Sequence, residues 1–128
     1  MKIEFADPTM GELCNYYDPD STKDELGIYV RKKSSGERTG SEVMKCLGVL
    51  RSVKDPSEIP TMYNYHLLKY DLKGCATIDI YSRGKGKRGG RGKWRLLFKP
   101  GSSCGDINNK KSIDTVLIIE LITDNHKG

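Results

Sequence analysis

The chain has 128 residues, of which 36% are hydrophobic and 30% are charged, and its net charge is +5. These values fit a single domain over residues 1–128 with a modest core, and they exclude a disordered tail. The longest apolar run, between Val116 and Ile122, is far too short to span a membrane. No signal peptide is recognisable after Met1, so we expect a cytoplasmic protein.

The first part of the chain predicts one short strand followed by helices. Polar and apolar residues alternate over Lys2–Phe5, as they do in a half-buried strand. A short helix is predicted over Thr9–Tyr17. Ser21 or Thr22 can cap a second helix, because a side-chain hydroxyl can accept a hydrogen bond from a free amide at a helix N-terminus.

A third helix is predicted after residue 40. Ser41 can cap its N-terminus, and Pro56 and Pro60 prevent it from continuing. Apolar residues recur on one of its faces at helical spacing, and this face should lie in the core. The apolar residues of this face are Val43, Cys46, Leu47 and Leu50.

The second half of the chain has the period of strands. Apolar residues alternate over Ala76–Tyr81 and again from Trp94 to Phe98, and Thr115–Thr123 is rich in β-branched residues. Helices followed by consecutive strands with short connections predict an α+β fold. We therefore expect N-terminal helices packed on a twisted antiparallel β-sheet.

Residues 82–93 form a basic, glycine-rich insertion that we expect to be a hairpin between two strands. The insertion holds six basic residues, five glycines and no acidic residue, so the net +5 leaves −1 for the rest of the chain. Concentrated positive charge indicates a polyanionic partner, most simply nucleic acid, although a loop that only improves solubility is the alternative. The glycines disfavour rigid recognition, so each contact would be a salt-sensitive contact with a phosphate. The basic residues are Arg83, Lys85, Lys87, Arg88, Arg91 and Lys93.

The four cysteines lack the spacing of a zinc site, and none of them forms a Cys-x-x-Cys pair. Because we expect a cytoplasmic protein, free thiols are favoured over disulfides. The sequence therefore predicts no metal and no cofactor. The cysteines are Cys14, Cys46, Cys75 and Cys104.

The two histidines each have polar neighbours that are suited to cleaving RNA. Lys69 follows three residues after His66, and His126 follows two residues after Asp124. Transesterification of RNA needs a base for the 2′-hydroxyl proton, an acid for the leaving 5′-oxygen and cations for the phosphate. Together with Arg95 on a neighbouring strand, these residues could supply all three, although either histidine alone is more often an ordinary surface residue.

Four short motifs between residues 64 and 126 occur in an order that is typical of one family. A His-x-Leu-Lys element at 66–69 precedes an Asp-Leu-Lys-Gly turn at 71–74. Thr-Ile-Asp-Ile at 77–80 occupies the place of a Ser-Ile-Arg-Val strand. Lys-Trp-Arg-Leu-Leu-Phe at 93–98 is similar to Asn-Trp-Arg-Ile-x-Phe, and residues 116–126 are similar to a last strand that ends in Asp-Tyr-His. In this order the chain resembles the RelE/HigB-type toxins, over residues 43–126 and more weakly before them.

This resemblance implies a RelE/ParE-like fold and a specific activity. Toxins of this type enter the ribosomal A site and cleave mRNA there without a metal, through attack of a 2′-oxygen on the adjacent phosphate. A cognate antitoxin, commonly a helix-turn-helix protein, covers the toxin and neutralises it. By position, His66 and His126 would transfer protons, Lys69 and Arg95 would bind the scissile phosphate, and Asp124 would orient His126.

Two further residues, Lys73 and Asn125, would contact RNA or the ribosome by the same resemblance. Three positions depart from the family pattern: Asn125 replaces a tyrosine, Asp79 an arginine and Ala76 an aromatic residue. The alternative to the enzyme is therefore a non-catalytic protein that binds RNA, the ribosome or an antitoxin on the same scaffold. Three tyrosines could supply the missing base stacking or pack at the rim of the core: Tyr63, Tyr65 and Tyr81.

Overall fold

The computed structural model describes residues 1–34, 39–81, 91–102 and 104–123, and of residues 33, 34, 81, 91–93 and 123 it describes the backbone alone. Within these ranges the chain forms an α+β fold, as the sequence predicts. The helices are α1 (Pro8–Asn15), α2 (Glu25–Ser34) and α3 (Gly40–Ser52). The strands are β1 (Lys2–Phe5), β2 (His66–Leu67), β3 (Ala76–Tyr81), β4 (Arg91–Pro100) and β5 (Thr115–Thr123).

The five strands form one mixed sheet in the order β1-β5-β4-β3-β2. The strands β2, β3, β4 and β5 pair antiparallel with their neighbours, but β1 runs parallel to β5, with Lys2 opposite Thr115. The expectation of an antiparallel sheet is therefore wrong for β1. Two parallel neighbours need a long connection between them, and the helices together with the other strands provide that connection here.

The N-termini of α2 and α3 are joined by one carboxylate. Asp24 precedes α2, and its Oδ1 accepts a hydrogen bond from the amide of Gly27 at 3.0 Å. Its Oδ2 accepts a hydrogen bond from the amide of Gly40, the first residue of α3, at 2.9 Å. An anion is favourable at a helix N-terminus, so Asp24 caps α2 in place of the predicted Ser21 or Thr22.

The N-terminus of α3 is closed by a capping box two residues earlier than predicted. The hydroxyl of Thr39 accepts a hydrogen bond from the amide of Glu42 at 3.3 Å, and Glu42 Oε1 accepts one from the amide of Thr39 at 2.8 Å. Ser41 therefore lies inside the first turn of α3 and does not cap it. The reciprocal pair satisfies two amides that a helix start leaves free.

One face of the sheet packs against the helices and forms the main core. The predicted apolar face of α3 is buried over its whole length. Side chains at every second position of the strands meet it, in agreement with the predicted alternation. These strand residues are Ile78 and Ile80 in β3, Trp94, Leu96 and Phe98 in β4, and Val116 and Ile118 in β5. None of the helices in the described ranges is both long and apolar enough to cross a bilayer.

The other face of the sheet, which we call the second face, carries the residues that alternate with the core. Here Leu68, Cys75 and Leu97 form a small separate cluster of buried side chains. Thr77 and Asp79 lie between the core residues of β3 and therefore belong to this face. The second face thus combines a little apolar packing with the charged and polar residues that are of functional interest.

All four cysteines are free thiols, as the sequence predicts, and three of them are buried. Burial raises the pKa of the Cys14 thiol to about 11, and it raises the pKa values of Cys46 and Cys75 as well. Cys104 is only partly buried. Because the thiolate is the nucleophile, a raised pKa and a closed environment both slow reaction with a thiol reagent.

We therefore expect native protein at pH 8 to react quickly with about one equivalent of a disulfide reagent such as DTNB, through Cys104. The other three thiols should react after unfolding in guanidinium. Absorbance of the released thionitrobenzoate measures both phases, and Cys104→Ser, the control, should lose only the fast phase. Two or more fast equivalents in native protein would contradict the packing described above.

Candidate functional site

His66 begins the edge strand β2 and lies on the second face. It is opposite Thr77 in β3, and residues opposite each other in an antiparallel pair point to the same side of the sheet. Its Nδ1 is 3.2 Å from the carbonyl oxygen of Asn64 and 3.5 Å from the hydroxyl of Thr77. A proton on Nδ1 would be donated to the carbonyl, which leaves Nε2 with the lone pair that a general base needs.

Arg95 lies on the same face, in β4, directly opposite Asp79 in β3. Its Nη1 is 3.1 Å from Asp79 Oδ1, and the side chains are 14% and 1% exposed respectively. The two oppositely charged groups therefore form an ion pair that is almost completely buried. A carboxylate this deeply buried is unfavourable without a cation beside it.

The structure therefore places His66 and Arg95 on the same face of the sheet. They are two strands apart and offset by two residues, which corresponds to roughly 12 Å between their Cα atoms in a regular sheet. Thr77 lies between them on β3. Thr77 is completely buried, whereas His66 is only partly buried.

Lys69 and Lys73 lie in the turn that joins β2 to β3, and both are exposed. Together with Tyr70 they line a pocket of about 520 Å³ against residues 106–108. Lys69 directly precedes a 3₁₀ turn at Tyr70–Leu72 and does not continue β2. Of the predicted pair, His66 therefore lies in the sheet and Lys69 lies at the end of the hairpin.

Several predicted site residues lie outside the described part of the chain, and their roles stay predictions. These residues are Arg83, Lys85, Lys87, Arg88, Asp124, Asn125 and His126. Of Arg91 and Lys93 the backbone alone is described, and it belongs to β4. Arg91 pairs with Tyr81, so the last residues of the predicted insertion at 82–93 belong to a strand, and residues 82–90 lie outside the described part of the chain.

Tyr63 and Tyr65 pack against the main core, so the rim-packing alternative is confirmed for both. The ring of Tyr65 is 6.2 Å from that of Phe98, and Nζ of Lys110 lies 5.3 Å from its centroid. Burial raises the pKa of the Tyr65 phenol to about 12. For Tyr81 the structure describes the backbone alone, so its role stays a prediction.

Reasoning from the sequence did not identify two residues of the site, Thr77 and Asp79. Thr77 contacts the imidazole of His66, and Asp79 was noted only as a reversed charge. The alternation of apolar residues along β3 and β4 would have identified the contact of Asp79 with Arg95, had the two strands been paired as a hairpin. Once Ile78 is set opposite Leu96, Asp79 must be opposite Arg95.

Among the described residues, no group of three or more histidine, cysteine or acidic side chains is arranged to hold a metal ion. The chain matches no protein-family model, no curated protein and no solved structure. Its function must therefore be argued from its own residues.

A double-mutant cycle tests the ion pair on the second face. Arg95→Met should destabilise the protein by about 3–5 kcal/mol, because it leaves the buried Asp79 carboxylate without the nearby guanidinium. Adding Asp79→Asn should restore part of this loss, since the amide carries no charge. Urea unfolding, followed by the fluorescence of the single tryptophan, Trp94, measures each variant.

The matched control is Arg51→Met on the exposed end of α3, which should change stability by less than about 0.5 kcal/mol. If the effects of Arg95→Met and Asp79→Asn are simply additive, the two side chains are not coupled.

Proposed function

We propose that this protein is a ribosome-dependent mRNA endoribonuclease of the RelE/HigB type, which acts in the cytoplasm without a metal or other cofactor. A cognate antitoxin, most simply a helix-turn-helix protein, would neutralise it. One observation supports this proposal above the others: His66 and Arg95 lie on the same face of the sheet, opposite the face that the helices cover.

In this proposal the scissile phosphate binds on the second face, between His66 and Arg95. A 2′-hydroxyl loses its proton to a base and its oxygen bonds to the adjacent phosphorus, while the bond from phosphorus to the 5′-oxygen breaks. The products are a 2′,3′-cyclic phosphate and a 5′-hydroxyl, which receives a proton from an acid. His66 and His126 are the candidates for these two transfers, and either can take either role.

In this proposal Arg95 binds the phosphate while it remains paired with Asp79. A guanidinium has five N–H donors, and the contact with Asp79 is made through Nη1. Asp79 would hold the guanidinium in place, and in this proposal the guanidinium also contacts a phosphate oxygen. The further positive charge that the phosphate needs would come from Lys69 and from the basic insertion.

The ends of β3 give this site two basic regions. The turn with Lys69 and Lys73 precedes β3, and the basic insertion at 82–93 follows β3 in the sequence. The six residues of β3 span about 17 Å between these ends. An RNA strand along the second face would therefore meet the positive charge of Lys69 and Lys73 on the His66 side of the scissile phosphate.

A second function is favoured by one specific observation. Because Asp79 is paired with Arg95, the centre of the second face carries less net positive charge for a transition state than Arg95 without the carboxylate would supply. A non-catalytic protein that binds RNA, the ribosome or an antitoxin on this scaffold would not need that charge.

The two functions are separated by cell-free translation with purified protein, followed by primer extension on the mRNA. The proposal predicts cleavage within codons, only when ribosomes are present. His66→Ala and Arg95→Ala should each reduce the cleavage rate by about 100-fold or more, as expected for a proton-transfer group and a phosphate ligand. Arg51→Ala, which removes an exposed guanidinium from the helical side, should cleave normally.

Intact mRNA at saturating wild-type protein would overturn the proposal of an enzyme. Retained binding to ribosomes in the same reaction, measured by co-sedimentation, would then support the non-catalytic function. Cleavage of equal rate in wild type and His66→Ala would remove His66 from the mechanism.

A further inference from the structure

Tyr70 is an aromatic residue with an unusual position at the end of the β2–β3 hairpin. It begins the 3₁₀ turn that joins the two strands, and it is 84% exposed. Its φ angle is 58°, in the left-handed region that side chains other than glycine rarely adopt. A bulky residue here costs stability that glycine would not cost.

The turn around Tyr70 is ordered by backbone hydrogen bonds and does not depend on the tyrosine ring. The amide of Leu72 donates to the carbonyl of Lys69 at 3.2 Å, and the amide of Lys73 donates to the carbonyl of Tyr70 at 3.1 Å. The amide of Leu68 donates to the carbonyl of Cys75 at 3.0 Å and closes the hairpin. Because the ring is so exposed, core packing does not explain the presence of a tyrosine at this position.

The surroundings of Tyr70 have the chemistry of a nucleotide site. Lys69 and Lys73 flank it, and all three residues line the pocket of about 520 Å³. The acidic groups nearby are Asp71, which is exposed, and Asp106. Asp106 Oδ1 is engaged by hydrogen bonds from the backbone amide and the side-chain amide of Asn108, at 2.9 and 3.0 Å.

Tyr16 provides a contrast within the same chain. It is 83% exposed, as much as Tyr70, and it lines a pocket at the end of α1. The charged residues that share that pocket are mainly acidic: Glu12, Asp18 and Glu25, with Lys23. Two equally exposed tyrosines therefore lie in different electrostatic surroundings: the pocket of Tyr16 is net acidic, whereas Tyr70 is flanked by two lysines that could hold phosphates.

We propose that Tyr70 is a stacking platform for an unpaired base of single-stranded RNA, with Lys69 and Lys73 binding the phosphates beside that base. The proposal deepens the proposed function and rests on it for the identity of the ligand as RNA. Base stacking on an exposed aromatic ring tolerates any base, so this subsite adds affinity and position without sequence preference. It lies before β3, on the His66 side of the site.

The test is fluorescence anisotropy at low salt with two labelled oligonucleotides of equal length. One is a 2′-O-methyl RNA of mixed sequence, which cannot be cleaved because it lacks the attacking hydroxyl. The other is the same backbone without bases. Stacking should make wild-type protein bind the first more tightly than the second.

Tyr70→Gly should weaken binding to the RNA by about fivefold or more and leave binding to the abasic strand unchanged. Its thermal unfolding midpoint should be equal to or above that of wild type, since glycine adopts a positive φ without strain. Tyr70→Asn, which also tolerates this conformation, should bind as Tyr70→Gly does and serves if the glycine variant does not fold. Tyr70→Phe should bind like wild type, and the control Tyr16→Gly should leave binding unchanged.

The proposal is overturned if wild type does not bind the RNA, or if Tyr70→Gly binds both strands like wild type. It is equally overturned if Tyr70→Gly weakens binding to both strands alike, because that result indicates a general structural effect. Binding is measured here without cleavage. Failure of the proposed enzyme activity would therefore appear in the translation assay and leave these results intact.

Discussion

The alternation of side chains along β3 and β4 is the constraint on which the rest of this structure depends. Ile78, Ile80 and their partners in β4 must face the helices to form a core, so every intervening residue must face the other way. A shift of one residue in this register would bury Arg95 against α3 and expose Leu96. The apolar core therefore fixes the positions of His66 and Arg95 on the second face.

The ion pair between Asp79 and Arg95 connects the packing of the fold with the proposed chemistry. The carbonyl oxygen of Asp79 is 3.8 Å from Sγ of Cys46 in α3, so helix packing and the ion pair share one residue of β3. The charge of Asp79 also adds to the effect of burial in raising the pKa of the Cys46 thiol. A buried ion pair contributes little net stability, but it holds a guanidinium in one orientation, which a phosphate ligand needs.

Much of the fold was predictable, because hydrophobic periods identify elements well. The bounds of β1, β3 and β5 and the buried face of α3 follow directly from spacing. The helix caps were less predictable, because Asp24 also accepts a hydrogen bond from the amide of Gly40, which is distant in sequence. The parallel pairing of β1 with β5 depends on tertiary structure, which no local pattern contains. The left-handed backbone of Tyr70 was not predictable either, because glycine is the residue expected at a positive φ.

The most direct test of the central claim is to map where RNA binds. In NMR spectra of labelled protein titrated with the uncleavable 2′-O-methyl RNA, signals of the Arg95 Nε–H group and the His66 ring should shift together, with the amides of residues 68–75. The Nε–H signals of Arg31 and Arg51, on the helices, should stay in place. Shifts confined to the helices, with Arg95 and His66 unchanged, would contradict the account of the second face as the RNA-binding face.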